Sequence, residues 1–173
     1  CNGNTFFNPG DIEGVVTDGL FCNLGPGSTS GKGKVRVRFT DITDGLSNTL
    51  MASELILVND NPTTNSAGAD ARGRYYNPVD GAVFFSTAEP PNTPIGDKSE
   101  FCENTNPRAP CAPEGTTSMI NYARSYHSGG ANALSGDGSV RFITNSVRAD
   151  VYRAMGTRNG GTIVPDTTVG GLD

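Results

Sequence analysis

Glycine and proline are so frequent in this chain that they limit every helix and strand to a short length. The 173 residues include 23 glycines and 11 prolines, no tryptophan, and only 35% hydrophobic residues. Both residue types interrupt regular structure, and this apolar content is low for a helical protein. Apolar runs still recur, at 35–39 and 50–58, so the chain is not disordered throughout. The sequence predicts one loop-rich domain over residues 1–173, of class α+β and dominated by an antiparallel sheet with one or two short helices.

Two early segments are predicted as strands. Residues 34–39 alternate polar and apolar side chains, with Val35, Val37 and Phe39 on one face, which is the pattern of a half-buried antiparallel strand. Residues 50–58 are apolar almost throughout, which fits a buried strand or a short helix. Their length of nine residues and their abrupt polar end favour the strand.

The second half of the chain contains one more alternating segment and the best helix candidate. Residues 139–143 are predicted as a strand with Val140 and Phe142 pointing inward. Residues 148–155 are predicted as a helix, and Gly156 is its C-terminal stop. Two shorter strands are predicted at 82–85 and 162–164.

The segments between these elements are predicted as turns and surface loops. Residues 41–48 have turn chemistry, and Asp44-Gly45 suits a positive φ angle. Residues 59–73 are small and polar, which predicts an exposed loop. Residues 89–115 are rich in proline and are predicted to form an ordered excursion over the surface.

The charge distribution argues against a nucleic-acid partner. The formal net charge is −5, from 13 basic and 18 acidic residues. Binding to nucleic acid needs a concentrated positive face that displaces counterions. The single small basic cluster fits one solvated strand face instead, and consists of Lys32, Lys34, Arg36 and Arg38.

The four cysteines fall as two local pairs, Cys1 with Cys22 and Cys102 with Cys111. An even count in such a chain predicts disulfides and therefore an extracellular or periplasmic location. Three connectivities are open to four cysteines. The local pairing is favoured because Cys102 and Cys111 bracket a loop, 103–110, that has little else to hold it. Zinc is disfavoured, since neither pair has the short spacing of zinc ligands and the chain has one histidine.

Three motifs occur in a fixed order along the chain. They are DITDGLSNTL at 41–50, SYHSGGAN at 125–132 with GDGSVRF at 136–142, and RAMGTRNGG at 153–161. Nine residues separate the single histidine, His127, from Asp137-Gly138. Together the motifs resemble the pilin-like H-x9-D-G family of planctomycete-type bacteria, which is also filed as a bacterial solute-binding family. The resemblance covers roughly residues 18–164, and three ordered motifs are far more specific than one.

The resemblance implies an extracellular or cell-surface structural protein. Such a chain would be the head domain of a type IV pilin-like or type II secretion pseudopilin-like filament, assembling with itself or with other pilin-like subunits. Family members begin with a long apolar helix, whereas no run here reaches the roughly 20 apolar residues of a membrane span. We expect that this helix has been trimmed from the chain. The alternatives are a disordered helix and a lipoprotein whose mature terminus is Cys1.

The pair His127 and Asp137 suggests acid–base chemistry, or with Ser125 or Ser128 a hydrolase triad. No nucleophile motif accompanies the pair, and Asp-Gly before a strand is more simply a hairpin turn. We therefore predict no enzyme activity. The family-motif residues are predicted to be structural, locking loops in place; they are Asp44, Gly45, Ser47, Asn48, His127, Gly129, Gly130, Asn132, Asp137 and Gly138.

A structural calcium ion is the only cofactor that the sequence suggests. Asp41, Asp44 and Asp137 supply hard oxygen ligands from loops, with Asn48 near the first two. The spacing is not that of an EF-hand. Major pseudopilins use a calcium-stabilised loop, so the looser resemblance implies such an ion. Turn-forming aspartates without a metal are favoured, because Asp and Asn form turns for reasons of their own.

The alternative function is a secreted or surface-anchored module that binds a solute or carbohydrate. Its site would lie on the long loops at 59–80 and 89–115, because ordered loops on a rigid sheet commonly carry binding sites. A deep pocket lined by aromatic residues would favour this function, and a convex head with a flat flank would favour the filament.

Overall fold

The computed structural model describes residues 19–20, 37–58, 70, 72–73, 84–99, 102–113 and 120–159. Its strands are β1 (Leu50–Ser53), β2 (Asp97–Ser99), β3 (Cys111–Pro113), β4 (Gly130–Ser135) and β5 (Val140–Thr144), and they are followed by helix α1 (Ala149–Met155). An antiparallel sheet has the order β1-β4-β5, and β2 pairs with β3 in a small parallel sheet. The predicted loop-rich α+β class is confirmed. Among the described residues, no helix combines the length and apolar character that a bilayer crossing requires.

Strands β4 and β5 form the hairpin around which the sheet is built. Ala131 and Ala133 of β4 are buried and pair with Ile143 and Arg141 of β5. Ile143 therefore faces the interior, since side chains of directly paired residues lie on one face of a sheet. The prediction that Val140 and Phe142 point inward was wrong: they are 67% and 48% exposed. The alternation correctly predicted the strand, but the pairing with β4 decides which face is buried.

The hydrophobic core lies between the inner face of this sheet and α1. Leu50, Phe85, Ala123, Ile143 and Tyr152 cluster there with two alanines of β4. Complete burial of a side chain such as Leu50 or Phe85 stabilises the fold by about 1.5–3 kcal/mol. The helix and its stop at Gly156 were predicted correctly. Gly156 is also required for packing, because a side chain there would collide with Thr87.

The strand predicted at 34–39 was wrong where the structure describes it. Phe39–Asp41 forms a 3₁₀ turn, and Phe39 is 75% exposed. The Asp41 carboxylate accepts the Arg38 backbone N–H at 2.8 Å, and this bond bends the chain that the alternation would have kept extended. Residues 34–36 lie outside the described ranges.

Three further element predictions have mixed outcomes. The strand predicted at 50–58 is confirmed for the four residues of β1, and the rest of that segment has no regular structure. At 82–85 no strand is found in the two described residues, although Phe85 is buried in the core. The strand predicted at 162–164 lies outside the described residues.

A network of buried charges holds the segments that precede and follow β2 and β3. Asp97 accepts from the guanidinium groups of Arg72 at 2.7 Å and Arg124 at 3.0 Å. Arg72 also donates to Asp70 at 2.6 Å, and all four side chains are at most 2% exposed. We call these four residues the buried ion network. Burial opposes the charge of Arg72, but hydrogen bonds to the two carboxylates outweigh it and raise the pKa of the guanidinium.

The buried ion network corrects two loop predictions. Asp70 and Arg72 fall in the segment predicted to be an exposed loop, yet both are buried. Asp97 falls in the segment predicted to be a surface excursion, and it lies at the centre of the network. A polar composition predicted exposure, but a complete set of hydrogen bonds allows charged side chains to be buried.

The Cys102–Cys111 disulfide is present and closes the loop beside this network. Cys111 begins β3, and its backbone N–H donates to the Asn104 side chain at 3.2 Å. The disulfide confirms one of the two predicted cysteine pairs. Cys1 and Cys22 lie outside the described residues.

Candidate functional site

The turn at 41–49 meets the third sequence motif, just after helix α1, at one end of the sheet. The Asp44 N–H donates to the Arg158 carbonyl at 3.3 Å, and the Thr157 hydroxyl donates to the Asp44 carboxylate at 3.2 Å. Thr49, which is fully buried, donates its hydroxyl to the Thr157 carbonyl at 3.2 Å. The first and third sequence motifs are thus joined directly.

The predicted turn has the geometry that its residues indicate. Gly45 has φ +91°, a conformation that side chains other than glycine rarely adopt. Asn48 donates its backbone N–H to the Gly45 carbonyl and its side-chain amide to the Asp44 carbonyl, both at 3.0 Å. Ser47 is exposed in this turn. The turn is therefore closed by its own backbone and by one asparagine.

The β4–β5 hairpin turn reaches the same end of the sheet. Asp137 accepts the Ser139 N–H at 2.9 Å and the Ser139 hydroxyl at 2.7 Å, and Gly138 has φ +88°. These bonds from Ser139 lower the pKa of the Asp137 carboxyl. The Gly136 N–H donates to the Thr49 carbonyl at 2.9 Å, which fastens the hairpin to the first motif. The first and third motifs and the GDGSVRF part of the second motif therefore converge at this end.

His127 lies at the other end of β4, in a cluster with Glu54 and Asn132. Its Nε2 is 3.1 Å from Glu54 Oε1 and 3.2 Å from the Asn132 side-chain nitrogen. The Asn132 backbone N–H donates to Glu54 Oε2 at 2.7 Å. The imidazole edge packs against Phe142, with ring centroids 6.2 Å apart. We call His127, Glu54 and Asn132 the histidine cluster; the sequence predicted two of its members and missed Glu54.

The ionisation of Glu54 follows from these contacts. Partial burial disfavours the carboxylate, but the two donors of Asn132 and the imidazole outweigh it and lower the pKa of Glu54. The cluster is open to solvent, since the His127 and Glu54 side chains are 54% and 34% exposed. Glu54 thus stays ionised and organises the polar groups around it.

The glycines beside the histidine allow the chain to turn closely into β4. Gly129 has φ +84°, and a side chain at Gly130 would collide with the Ile143 carbonyl. Ser125 is buried and donates its hydroxyl to the Gly130 carbonyl at 2.6 Å, while accepting the His127 N–H at 3.1 Å. Its hydroxyl is engaged in holding the turn.

The structure does not bring His127 and Asp137 together. They flank opposite ends of the six-residue strand β4, which alone spans about 20 Å. His127 bonds to Glu54, and Asp137 bonds to Ser139. The acid–base dyad and the hydrolase triad considered from the sequence are therefore not formed by these residues.

The three candidate calcium ligands are engaged in separate turns. Asp41 accepts from Arg38, Asp44 from Thr157, and Asp137 from Ser139. Within the described ranges, no group of three or more His, Cys, Asp or Glu side chains is placed to hold a metal ion. Calcium at these aspartates remains a prediction.

An apolar cavity of about 440 Å³ opens beside the end of the sheet where the motifs converge. Its apolar wall consists of Leu20, Val37, Phe39, Ile42, Leu46 and Met51. Arg38 is the only charged residue among the described residues that line it, and Gly136 completes the described wall. No described residue of the loop at 89–115 lines this cavity, so the predicted position of a binding site on that loop does not coincide with it.

A family model described as "Protein of unknown function (DUF1559)", SBP_bac_10, matches residues 2–150. No curated protein and no solved structure matches the chain. The matched range contains all five strands, both turns at the converging end and the histidine cluster. Residues 2–150 are therefore the family domain, whereas most of α1 and the contacts of Thr157 and Arg158 lie beyond the match. The function of the chain has to be argued from its own geometry.

Proposed function

The chain belongs to the SBP_bac_10 family of unknown function, and from this membership and the geometry of its sheet we propose that it is the head domain of a pilin-like or pseudopilin-like filament. The family and the Cys102–Cys111 disulfide point to an extracellular or periplasmic protein. The proposal adds that the domain is structural, with no catalytic activity, and that it assembles with copies of itself or with other pilin-like subunits.

The observation that carries the proposal is the open edge of strand β5. In the part of the sheet that the structure describes, β5 has a neighbour on one side only. The Asn145 N–H donates to the Gly129 carbonyl, and hydrogen-bonded pairs alternate along an antiparallel ladder. Ile143 and Arg141 are therefore the β5 residues bonded to β4, and the backbone N–H and C=O groups of Val140, Phe142 and Thr144 point away from it. Unpaired strand edges are ready templates for pairing with another chain.

The side chains along this edge suit a contact with a neighbouring subunit. Val140 and Phe142 are exposed apolar residues on the outer face of the hairpin, and Arg141 between them adds one charge. Exposed apolar groups on a strand edge favour association with another protein surface. The edge therefore provides both backbone and side-chain partners for a lateral contact between heads.

The use of the motif residues also supports a structural role. Asp44, Asn48 and Asp137 are engaged in hydrogen bonds within the protein, and Gly129 and Gly130 shape the entry to β4. Residues used in this way fix the frame that presents β5. A catalytic role would require some of them to meet in a cleft.

The test is to image the protein from its own source by cryo-electron microscopy. We expect filaments in which this domain repeats along the axis, with added density for an N-terminal helix. In the same host, Val140→Lys should reduce the number of filaments. Val151→Lys, which adds the same charge at an exposed apolar residue of α1, should not. Discrete monomers in the unaltered host, or an acylated Cys1, would overturn the proposal.

A second candidate function is the binding of a small solute, and the apolar cavity at the converging end favours it. Ligand sites are commonly mostly apolar hollows of about 300–1,000 Å³ with a few polar groups. The cavity has this size and composition. Solute binding and filament assembly use different residues, so they can be tested separately.

A further inference from the structure

We infer that the cavity at the converging end binds a small amphipathic monoanion, with an apolar body in the cavity and a carboxylate at Arg38. This inference rests on the second candidate function, solute binding, and is independent of filament assembly. It assigns a class of ligand from the lining residues and the position of the charge.

The wall determines the body of the ligand. Leu46 and Ile42 line the cavity from the turn, and Met51 lines it from strand β1. The Leu46 and Ile42 side chains offer no hydrogen-bond donor or acceptor, and the Met51 thioether is only a weak acceptor. A sugar or a polar peptide would leave its hydroxyls or amides unpaired against this wall, which is unfavourable. An alkyl chain or another apolar body removes the wall from water without that penalty.

Arg38 determines the charge of the ligand. It is exposed and is the only charged residue in the described part of the lining. Its guanidinium forms no ion pair within the described parts of the chain, and the nearby Asp41 carboxylate accepts the Arg38 backbone N–H. An arginine at the rim of an apolar cavity offers planar, paired donors that match a carboxylate.

Two further residues shape the entrance and the wall. Phe39 lines the cavity while 75% of its surface is exposed, which leaves an aromatic side chain available to cover a ligand. Gly136 packs closely against Leu46 in the wall, since an added side-chain carbon would lie 3.1–3.2 Å from Leu46. A side chain at this position would therefore displace Leu46 and change the shape of the cavity.

The experiment compares two probes that differ only in the head group. Dodecanoate and dodecan-1-ol are titrated below their aggregation limits into the full chain by calorimetry, with native mass spectrometry to count bound molecules. We expect one dodecanoate per chain and weaker binding of dodecan-1-ol. Arg38→Gln should weaken dodecanoate binding about fivefold, the upper end of what an exposed ion pair contributes.

Two other variants locate the site. Arg148→Gln removes an exposed positive charge that does not line the cavity and should leave both affinities unchanged. Met51→Gln places a polar group in the wall and should weaken both probes. Circular dichroism of each variant establishes that the fold is retained.

The failures can be told apart. If dodecan-1-ol binds as tightly as dodecanoate, and Arg38→Gln has no effect, the anion assignment is wrong while solute binding stands. If neither probe binds, or Met51→Gln changes neither affinity, the inferred site is wrong. Filaments seen in the imaging experiment would be unaffected by either result, because Val140 does not line the cavity.

Discussion

The buried ion network and the histidine cluster are built from the same kinds of groups and differ in their access to water. In each, a carboxylate accepts hydrogen bonds from two or more neighbouring side chains: Asp97 from Arg72 and Arg124, Glu54 from His127 and Asn132. The charged side chains of the network are at most 2% exposed, whereas His127 is 54% exposed. The two clusters therefore differ chiefly in how far their charged side chains are exposed to solvent.

This difference in solvent exposure indicates which of the two clusters contributes more to the stability of the fold. Removing one partner of a buried ion pair leaves an uncompensated charge without water, at a cost of about 3–5 kcal/mol. An exposed pair is hydrated before and after such a change, and contributes about 0–1 kcal/mol. The buried ion network should therefore contribute more to the free energy of unfolding than the histidine cluster, whose contribution should be small.

The largest expected effect is that of Asp97→Asn, which keeps the shape of the side chain and removes its charge. Among the described residues, Arg72 would retain one carboxylate partner, Asp70, and Arg124 would lose its only one. We expect the free energy of unfolding to fall by about 3–5 kcal/mol, measured by urea denaturation.

The matched control is Asp150→Asn, which breaks an exposed pair with Arg148. It should leave the urea midpoint unchanged. If Asp97→Asn fails to accumulate as folded protein, Asp70→Asn gives the comparison, since it removes one partner of Arg72 alone. If the free energy of unfolding falls no more in either buried variant than in the control, burial does not increase the contribution of these ion pairs to stability.

A smaller effect of opposite sign is expected from Tyr152→Phe. The Tyr152 hydroxyl is fully buried and has no hydrogen-bond partner in the described part of the chain, and its burial raises the pKa of the phenol. Removing an unsatisfied buried hydroxyl should stabilise the domain by about 1 kcal/mol. Thermal unfolding measures the gain.

This variant separates two effects, the burial of a polar group and the presence of a hydrogen-bond partner for it. Tyr126→Phe is its control: Tyr126 is 65% exposed and its hydroxyl accepts from Asn106, so its loss should not stabilise the protein. Destabilisation by Tyr152→Phe would mean that the hydroxyl has a hydrogen-bond partner outside the described residues.

The smallest expected effect is that of Glu54→Gln. At pH 7 it should lower the free energy of unfolding by less than about 1 kcal/mol, because the carboxylate is a third exposed. The folded-state pKa of Glu54 is lowered, so its stabilisation is present above the unfolded pKa and is lost as the pH falls through the folded value. The difference between variant and parent should therefore vanish in acid.

Urea denaturation at pH 7 and in steps down to about pH 2 measures the difference between variant and parent, which should shrink below the ordinary glutamate pKa and vanish below the lowered folded value. If the difference in the free energy of unfolding between variant and parent grows on acidification, the pKa of Glu54 is not lowered in the folded state. A loss at pH 7 as large as that of Asp97→Asn would remove the distinction between the two clusters.

The sequence predicted those parts of the fold that depend on local chemistry. The turn at 41–48, the helix stop at Gly156 and the Cys102–Cys111 pair each rest on residues close together in the chain. The hairpin at Asp137-Gly138 is of the same kind, since one aspartate and one glycine close it. Such features require no knowledge of what packs against them.

Features that depend on distant partners were missed. Alternation predicted β5 correctly but not its buried face, which is set by pairing with Ala131 and Ala133. Nothing in the spacing of Arg72, Asp97 and Arg124 indicates that they meet. The cavity is likewise assembled from separate turns and one strand, so no single run of residues indicates it.

The meeting of the three motifs also sets the order in which the domain can be completed. Thr49 bonds to Thr157 across 108 positions, and Asp44 bonds to Thr157 across 113. Strand β1 gains its described ladder only when β4 has been synthesised. Distant pairings delay folding, because the intervening chain must be closed into a loop first. A nascent chain would therefore lack these closing contacts until α1 and Thr157 have been synthesised.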